Sequence, residues 1–308
     1  MDCHGRPWHY REMLPWRLRS YRNAHTLAPT ILGTPKPFSA YNAERHQGRD
    51  KRTPWMNKQQ TAEFLRAHGL RTARTFHVLE NPEDITQAHL PDRCVIKPVH
   101  GTNTTGVMVL RRDGDAFYDL MQRKTVTLQQ IRDVQRKSQA QYAAQFSFRS
   151  SKVLVEEAIL DEDGPDVVPL DYKAWAFNGL IAFIEQVDRN TRPKSAAWYV
   201  EDFQPVEVED VAFPELKQFQ RGPHRLPRCR GDILRIAKAA SLALKTAYIR
   251  VDTYATPEGA AIGELTPAPG PLYHGNWRFQ PWFDEFLGMQ WASAIRELQS
   301  MEGPATRR

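Results

Sequence analysis

Two apolar runs, 248–254 and 260–265, flank the turn Thr256-Pro257-Glu258-Gly259, and each carries ionised groups inside it. Short apolar runs around a Pro/Gly turn predict a β-hairpin. The charged members are Arg250-Val251-Asp252 on one strand and Glu264-Leu265-Thr266 on the other. Folding the hairpin brings the carboxylates of Asp252 and Glu264, 12 residues apart in sequence, within a few ångströms of each other. Like charges at adjoining β positions repel unless a cation sits between them. Mg²⁺ takes one or two protein carboxylates together with substrate phosphate oxygens. A surface hairpin seldom places Arg, Asp and Glu within apolar runs, so the pair reads as a candidate metal site. The segment Thr266-Pro267-Ala268-Pro269-Gly270-Pro271 then makes a rigid loop beside it.

The remaining pattern is α+β. A helix is expected from about Met56 to Ala67, ended by His68-Gly69, because Gly after the last periodic residue is a helix stop. Strands are expected over 75–79, 94–98, 106–110, 153–159, 170–177 and 180–187, the last two joined by the hairpin turn Asn178-Gly179. Asn81-Pro82-Glu83-Asp84 is a possible helix start, 116–146 is polar and helix-compatible, and 204–230 reads as irregular. Helical spacing of Ile233, Ile236-Ala237, Ala240 and Leu244 predicts a helix over 232–246, and a last amphipathic helix begins near 282. Near the N-terminus, Trp8, Tyr10, Leu14, Trp16, Leu18 and Tyr21 are apolar mass for one or two short helices that dock on a larger body.

Three more charged positions interrupt apolar strands. Lys97 sits in Cys94-Val95-Ile96-Lys97-Pro98, ahead of the small-residue loop His100-Gly101-Thr102-Asn103-Thr104-Thr105-Gly106. A buried lysine needs a partner, and loop amides of this kind form anion nests. An edge-strand lysine reaching water gives the same pattern. Glu156-Glu157 ends the run Val153-Leu154-Val155, either as a hydrogen-bonding edge or as a solvated exit. Lys173 lies in Leu170-Asp171-Tyr172-Lys173-Ala174-Trp175, where period-2 alternation puts Asp171, Lys173 and Trp175 on one face.

Charge narrows the partners. Of the 308 residues, the first 52 hold ten Lys+Arg against four Asp+Glu, which is the whole formal charge of +6; the other 256 balance to zero. A folded nucleic-acid-binding surface would carry the excess on its body, so nucleic acid is not an expected partner. No run approaches the roughly 18 apolar residues of a spanning helix, and no secretory signal is evident. Cys3, Cys94 and Cys229 are far apart and odd in number, which predicts no disulfide framework and a reducing cytoplasm.

Taken in order, these pieces resemble the ATP-grasp superfamily from about Lys58 to about Gly288: Asn57-Lys58 opening a helix, Lys97 with its lid to Gly106, the paired acids Glu156-Glu157, then Arg250-x-Asp252 and Glu264-x-Thr266. Asp171-Tyr172-Lys173, Phe177-Asn178-Gly179, Arg250-Val251-Asp252-x-Tyr254 and Gly263-Glu264-Leu265-Thr266 are similar, more narrowly, to the TupA-like branch associated with teichuronopeptide and surface-polysaccharide biosynthesis. The resemblance implies an ATP-grasp fold in which two α+β subdomains grip ATP. The divisions it implies are a basic extension 1–52, an N-terminal part of the body 53–92, a lid subdomain 93–160 and a catalytic subdomain 161–308. It implies that Lys97 and Lys173 bind the α/β-phosphates, with Lys58 on the phosphate side. His100, Gly101 and Thr102 through Gly106 would form the lid, and Glu156, Glu157, Ala158 and Ile159 the adenine-reading hinge. An acid within 161–163, with Asp163 as the candidate, would hold the ribose. Asp252, Glu264 and Thr266 would hold Mg²⁺ or Mn²⁺, with Thr266 where many members have Asn. Arg250 and Arg189 would face the transferred phosphoryl group or substrate. The lid has fewer glycines than is usual in the superfamily.

The activity implied is ATP- and Mg²⁺-dependent ligation of a carboxylate to an amine through an acyl phosphate, on a small metabolite, peptide or acidic glycan. A kinase acting on a hydroxyl is the alternative, with His100, His224 and His274 as available bases. A non-catalytic nucleotide-binding module is the third. Loops 189–230 and 266–281 are expected to set specificity. Trp198, Tyr199, Tyr273, Trp277 and Trp282 are expected in the core rather than stacked on substrate. Residues 1–52 are expected to pack beside the cleft, either steering an acidic substrate or as a docked arm.

Overall fold

The structure, a computed structural model, describes residues 36–50, 53–54, 56–100, 104–146, 152–200, 202–214, 219–269 and 277–301. The apolar mass expected near the N-terminus, together with Gly101, Thr102, Tyr273 and His274, lies outside these residues. Two helices come first, α1 (Phe38–His46) and α2 (Lys58–Ala67). Asn57 caps α2 through a reciprocal pair of bonds with Gln60 at 2.9 and 3.0 Å, the capping-box arrangement. Gly69, at φ +67°, ends it at the expected place.

A first, six-stranded antiparallel sheet follows: β1 (Thr75–Leu79), β2 (Arg93–Pro98), β3 (Met108–Asp113), β4 (Ala116–Asp119), β5 (Lys124–Val126) and β6 (Val153–Glu157). Their spatial order is β1-β6-β2-β3-β4-β5. Strand side chains alternate between faces. In β2, Cys94, Ile96 and Pro98 point into a core with Met108, Phe117, Ile131 and Val155, while Val95 and Lys97 take the opposite face. The lysine inside an apolar run is therefore the alternate residue of a central strand, not an edge residue. Helix α3 (Leu128–Phe146) covers the core face, with Ile131 fully buried in it. It passes so close to the exit of the lid that a Cβ on Gly106 (φ +76°) would meet Ser138 and Pro98 within 2.9 Å.

Two expectations change here. Asn81–Asp84 starts only a 3-10 turn, Pro82–Asp84, before Ile85 dives into the core. The stretch 116–146 is not one helical region: β4 and β5 form a hairpin before α3 begins, because Phe117 and Val126 complete the buried face of the sheet.

The second sheet has seven strands. It contains β7 (Asp171–Phe177), β8 (Leu180–Asp188), β9 (Lys194–Val200), β10 (Gln204–Val206), β12 (Phe219–Arg221), β13 (Ile249–Thr256) and β14 (Gly259–Thr266). The order is β10-β9-β8-β7-β13-β14, with β12 lying parallel along β9. A one-turn helix α4 (Val208–Val211) leads to β11 (Ala212–Pro214), which pairs with β15 (Trp277–Phe279). Strand β9 occupies part of the region expected as a free specificity loop. It is buried from Ser195 to Val200, where Trp198 and Tyr199 are core residues.

The two faces of this sheet differ. On one, α5 (Arg230–Leu244) and Leu65 of α2 pack Ile233, Ile236 and Ala240 onto Tyr172, Ala174, Ile184, Val251 and Ile262. On the other, α6 (Pro281–Met301) and α1 cover only half the strand length, over Trp175, Phe177, Phe183 and Trp198. Gly288 lets α6 touch the backbone of Lys36–Phe38, where a Cβ would come within 2.9 Å. The half of that face that no described helix covers carries Asp171, Lys173, Glu185 and Asp252. Among the described residues no helix is long and apolar enough to cross a membrane.

Candidate functional site

The uncovered half is organised as rungs across the pleat. Glu264 lies opposite Asp252, Asp252 opposite Lys173, and Lys173 opposite Glu185. Directly opposed side chains are near neighbours, so the rung reads acid, acid, cation, acid, with Lys173 standing between Asp252 and Glu185. Lys173 Nζ donates to Asp252 Oδ2 at 2.5 Å and lies 3.4 Å from Asp171 Oδ2. Arg250 grips Asp252 with both Nε (2.6 Å) and Nη2 (2.8 Å), and its Nη2 also donates to Thr266 Oγ1 at 3.0 Å. Arg189 donates from Nη2 and Nε to Asp171 at 2.6 and 3.0 Å.

These contacts set protonation. Burial alone would push the Asp171 carboxyl up, but Arg189 and Lys173 outweigh it and hold it at about 2. Asp252 is likewise held below the carboxylate range by Arg250 and Lys173 against its own burial. Glu185 goes the other way: burial raises it, and Lys173 and Arg250 compensate only in part. Burial lowers Lys58; the charge of Glu264 opposes that, Lys97 adds to it, and Glu156 opposes it. Burial, followed by Lys58, lowers His100.

Between the two sheets runs an open cleft of about 930 Å³, counting the space that opens to solvent. Its apolar wall is Val95, Val107, Val109, Met121, Ile159 and Val168; its polar wall is Lys58, Lys97, Glu156, Asp171, Lys173, Arg189, Asp252 and Glu264. Lys97 is ion-paired with Glu156 on the cleft face of the small sheet. A second cavity of about 600 Å³ shares Lys58, Lys97, Glu156, Gly263 and Glu264 with the first, and extends to His100, Asn57 and Thr61.

The structure thus brings together Lys58, Lys97, Glu156, Glu157, Ile159, Lys173, Arg189, Asp252 and Glu264 in one cleft, with His100 in the adjoining cavity. Arg250 sits one rung further along, behind Asp252, and lines neither cavity. Glu157 turns its carboxylate to the Arg74 amide at 3.0 Å. Ala158 does not line the cleft. Thr266 is bonded to Arg250 and lines neither cavity. Asp163 is placed elsewhere: it is exposed and bonded to Arg228 at 2.8 Å. Asp161 is buried in its own loop, accepting from the amides of Asp163 and Leu170. The acid lining the cleft beyond the hinge is Asp171. Its signal was the same alternation that paired it with Lys173. Met121 and Tyr254 also line the cleft, and nothing local in sequence marks Met121.

The donor set suits Mg²⁺. Asp252 and Glu264 offer hard oxygen donors on one rung, and Asp252 keeps lone-pair capacity beyond its three bonds. Among the described residues no three His, Cys, Asp or Glu side chains form an all-protein cage.

The profile of the TupA-like ATP-grasp family matches residues 40–292. The chain belongs to that family, with an α+β fold of antiparallel sheets. No curated protein sequence matches it. Solved structures of similar shape include D-alanine–D-alanine ligase from Bacillus anthracis, at 15% identity and TM-score 0.46, covering 80% of this chain and 69% of that one. The ATP-grasp ligase PsnB in complex with precursor peptide PsnA2 and AMPPNP has 14% identity and TM-score 0.40, covering 92% and 71%. An L-amino acid ligase from Bacillus licheniformis has 15% identity and TM-score 0.43, covering 83% and 56%.

Proposed function

We propose that this protein is an ATP- and Mg²⁺-dependent carboxylate–amine ligase acting on a small metabolite, peptide or acidic glycan. The observation that carries the reading is the rung Glu264–Asp252–Lys173 lining the same cleft as Lys97. In this reading adenine lies against the apolar wall, beside the hinge Glu156–Ile159. Asp171 takes the ribose side in place of Asp163, and Lys97, Lys173 and Lys58 follow the phosphates. Asp252 and Glu264 hold Mg²⁺, which would neutralise charge on the terminal phosphate oxygens. Arg250 spends Nε and both Nη2 hydrogens on Asp252 and Thr266, which leaves its Nη1 hydrogens for the transferred group. Thr266 then orients Arg250 rather than binding metal.

The chemistry is two displacements. A carboxylate oxygen attacks the γ-phosphorus and ADP leaves. An amine nitrogen then attacks the acyl carbon, loses a proton, and phosphate leaves carrying the former carboxylate oxygen. Water would destroy the acyl phosphate, so closure of 100–106 over the cleft is expected. The test uses ¹⁸O-labelled candidate carboxylates with ATP and an amine. Label appearing in inorganic phosphate, dependent on both substrates, supports ligation.

A kinase is the second reading, favoured by His100, a half-buried imidazole whose pKa burial and Lys58 lower, in the cavity that Glu264 also lines. His224 is already bonded to the Trp198 carbonyl. A stable phosphoester without free phosphate in the ³¹P spectrum would choose it over ligation.

A further inference from the structure

The post-hairpin loop is held by a residue far away in sequence. The side chain of Arg45, on α1, is 0% exposed. Its Nη1 donates to the Tyr248 carbonyl at 2.7 Å and to the Pro267 carbonyl at 2.6 Å. Nη2 donates to Thr246 Oγ1 at 2.8 Å and Nε to Asp50 at 2.7 Å, and the guanidinium lies 4.4 Å from the Trp291 ring. Tyr248 immediately precedes β13, and Pro267 immediately follows β14. The β13–β14 ladder ends at Arg250 opposite Thr266, and the prolines at 267 and 269 have no N–H with which to continue it. One nitrogen of Arg45 supplies the missing tie between the strand ends. The neighbours Asn42 and His46, on the same side of the helix, bond the Pro269 carbonyl at 2.9 and 3.0 Å.

We propose that Arg45 is a positioning residue for the transfer end of the site: by joining the two strand ends it fixes the Arg250–Thr266 rung, and with it the direction of the Arg250 guanidinium. This rests on the reading of Arg250 given above. A displacement of about 1 Å at a reacting group costs on the order of 100-fold in rate, so the rung needs such a tie. The nucleotide cleft does not: Arg45 touches none of its lining.

The test compares Arg45→Lys with Phe38→Leu in the full-length protein. Lysine keeps the charge but cannot reach Tyr248, Pro267 and Thr246 together. Phe38→Leu weakens the same helix without touching the loop. In Arg45→Lys, MgATP affinity stays within about 2-fold while kcat for ADP release falls about 30-fold. Amide hydrogen exchange rises at 264–266 and 268. Phe38→Leu lowers the melting temperature but changes neither kcat nor that exchange. Unchanged kcat in Arg45→Lys, or a loss matched by Phe38→Leu, overturns the proposal. Should the wild type show no ATP turnover, the ligase reading fails by itself; the exchange comparison still decides the tie, and unchanged exchange refutes it. If Arg45→Lys does not fold, Asn42→Ala with His46→Ala, which releases the Pro269 carbonyl, is held to the same outcomes.

Discussion

Strand β7 passes from charge to aromatic surface in a single step on one face: Asp171 and Lys173, then Trp175 and Phe177. All four are buried or nearly so, yet they are stable for opposite reasons. Trp175 and Phe177 are sealed by α6 and α1, and sit in ring contact with Phe38 at 5.1 and 6.3 Å. Apolar burial of this kind is non-directional and tolerates local loss. Asp171 and Lys173 are stable only through named partners, because a buried charge that loses its counter-ion keeps its desolvation cost. The aromatic end is a foundation, and the charged end a set of interdependent pairs built on it. The site lies where the helices stop covering the sheet.

Three measurements sharpen that contrast. Asp252→Asn leaves Lys173 and Arg250 facing a neutral group, and about 4 kcal/mol of stability is expected to go, along with MgATP turnover; urea unfolding and an ADP-release assay measure both. Phe38→Ala opens a cavity at the aromatic end, and about 3 kcal/mol is expected to go with no change in MgATP affinity. If Phe38→Ala weakens nucleotide binding as much as stability, the two ends are not separable. The smallest effect is in pH. Asp171 titrates at about 2 when folded against 3.8 ordinarily. A depressed acid contributes stability that is present above the unfolded value and lost as pH falls through the folded one. About 2 kcal/mol should therefore disappear between pH 4 and pH 2. Unfolding curves across that window should show the loss in wild type and Phe38→Ala alike, and a reduced loss in Asp171→Asn.

Reading the chain without its fold succeeded where the signal is local. The Asn178-Gly179 turn, the strand 75–79 and the hairpin around 256–259 each follow from a few adjacent residues. Lys97, Lys173, Asp252 and Glu264 stood out because each breaks an apolar run, and all four line the cleft. The hairpin β4–β5 escaped notice because each strand is short and buries few side chains, too few to show a period. Strand β9 escaped because its run of buried residues follows a Pro- and Arg-rich approach that reads as loop. The resemblance implies a ribose-side acid just after the hinge, within 161–163. The chain instead loops outward there, tied by Arg228 to Asp163, and returns at Asp171.

The basic N-terminal segment shows the same division. Its charge excess is plain from composition; the resemblance read from the residues begins at Lys58, whereas the family match begins at residue 40, within α1. The described part, α1, docks by Phe38 in the aromatic core and by Arg45 on the strand ends 248 and 267. Sequence alone determined which residues are chemically out of place in their strands, because alternation and turns are properties of neighbours. Only the tertiary structure decided which of them meet, because a salt bridge or a carbonyl tie depends on register between strands and helices some two hundred residues apart. No local pattern encodes that distance.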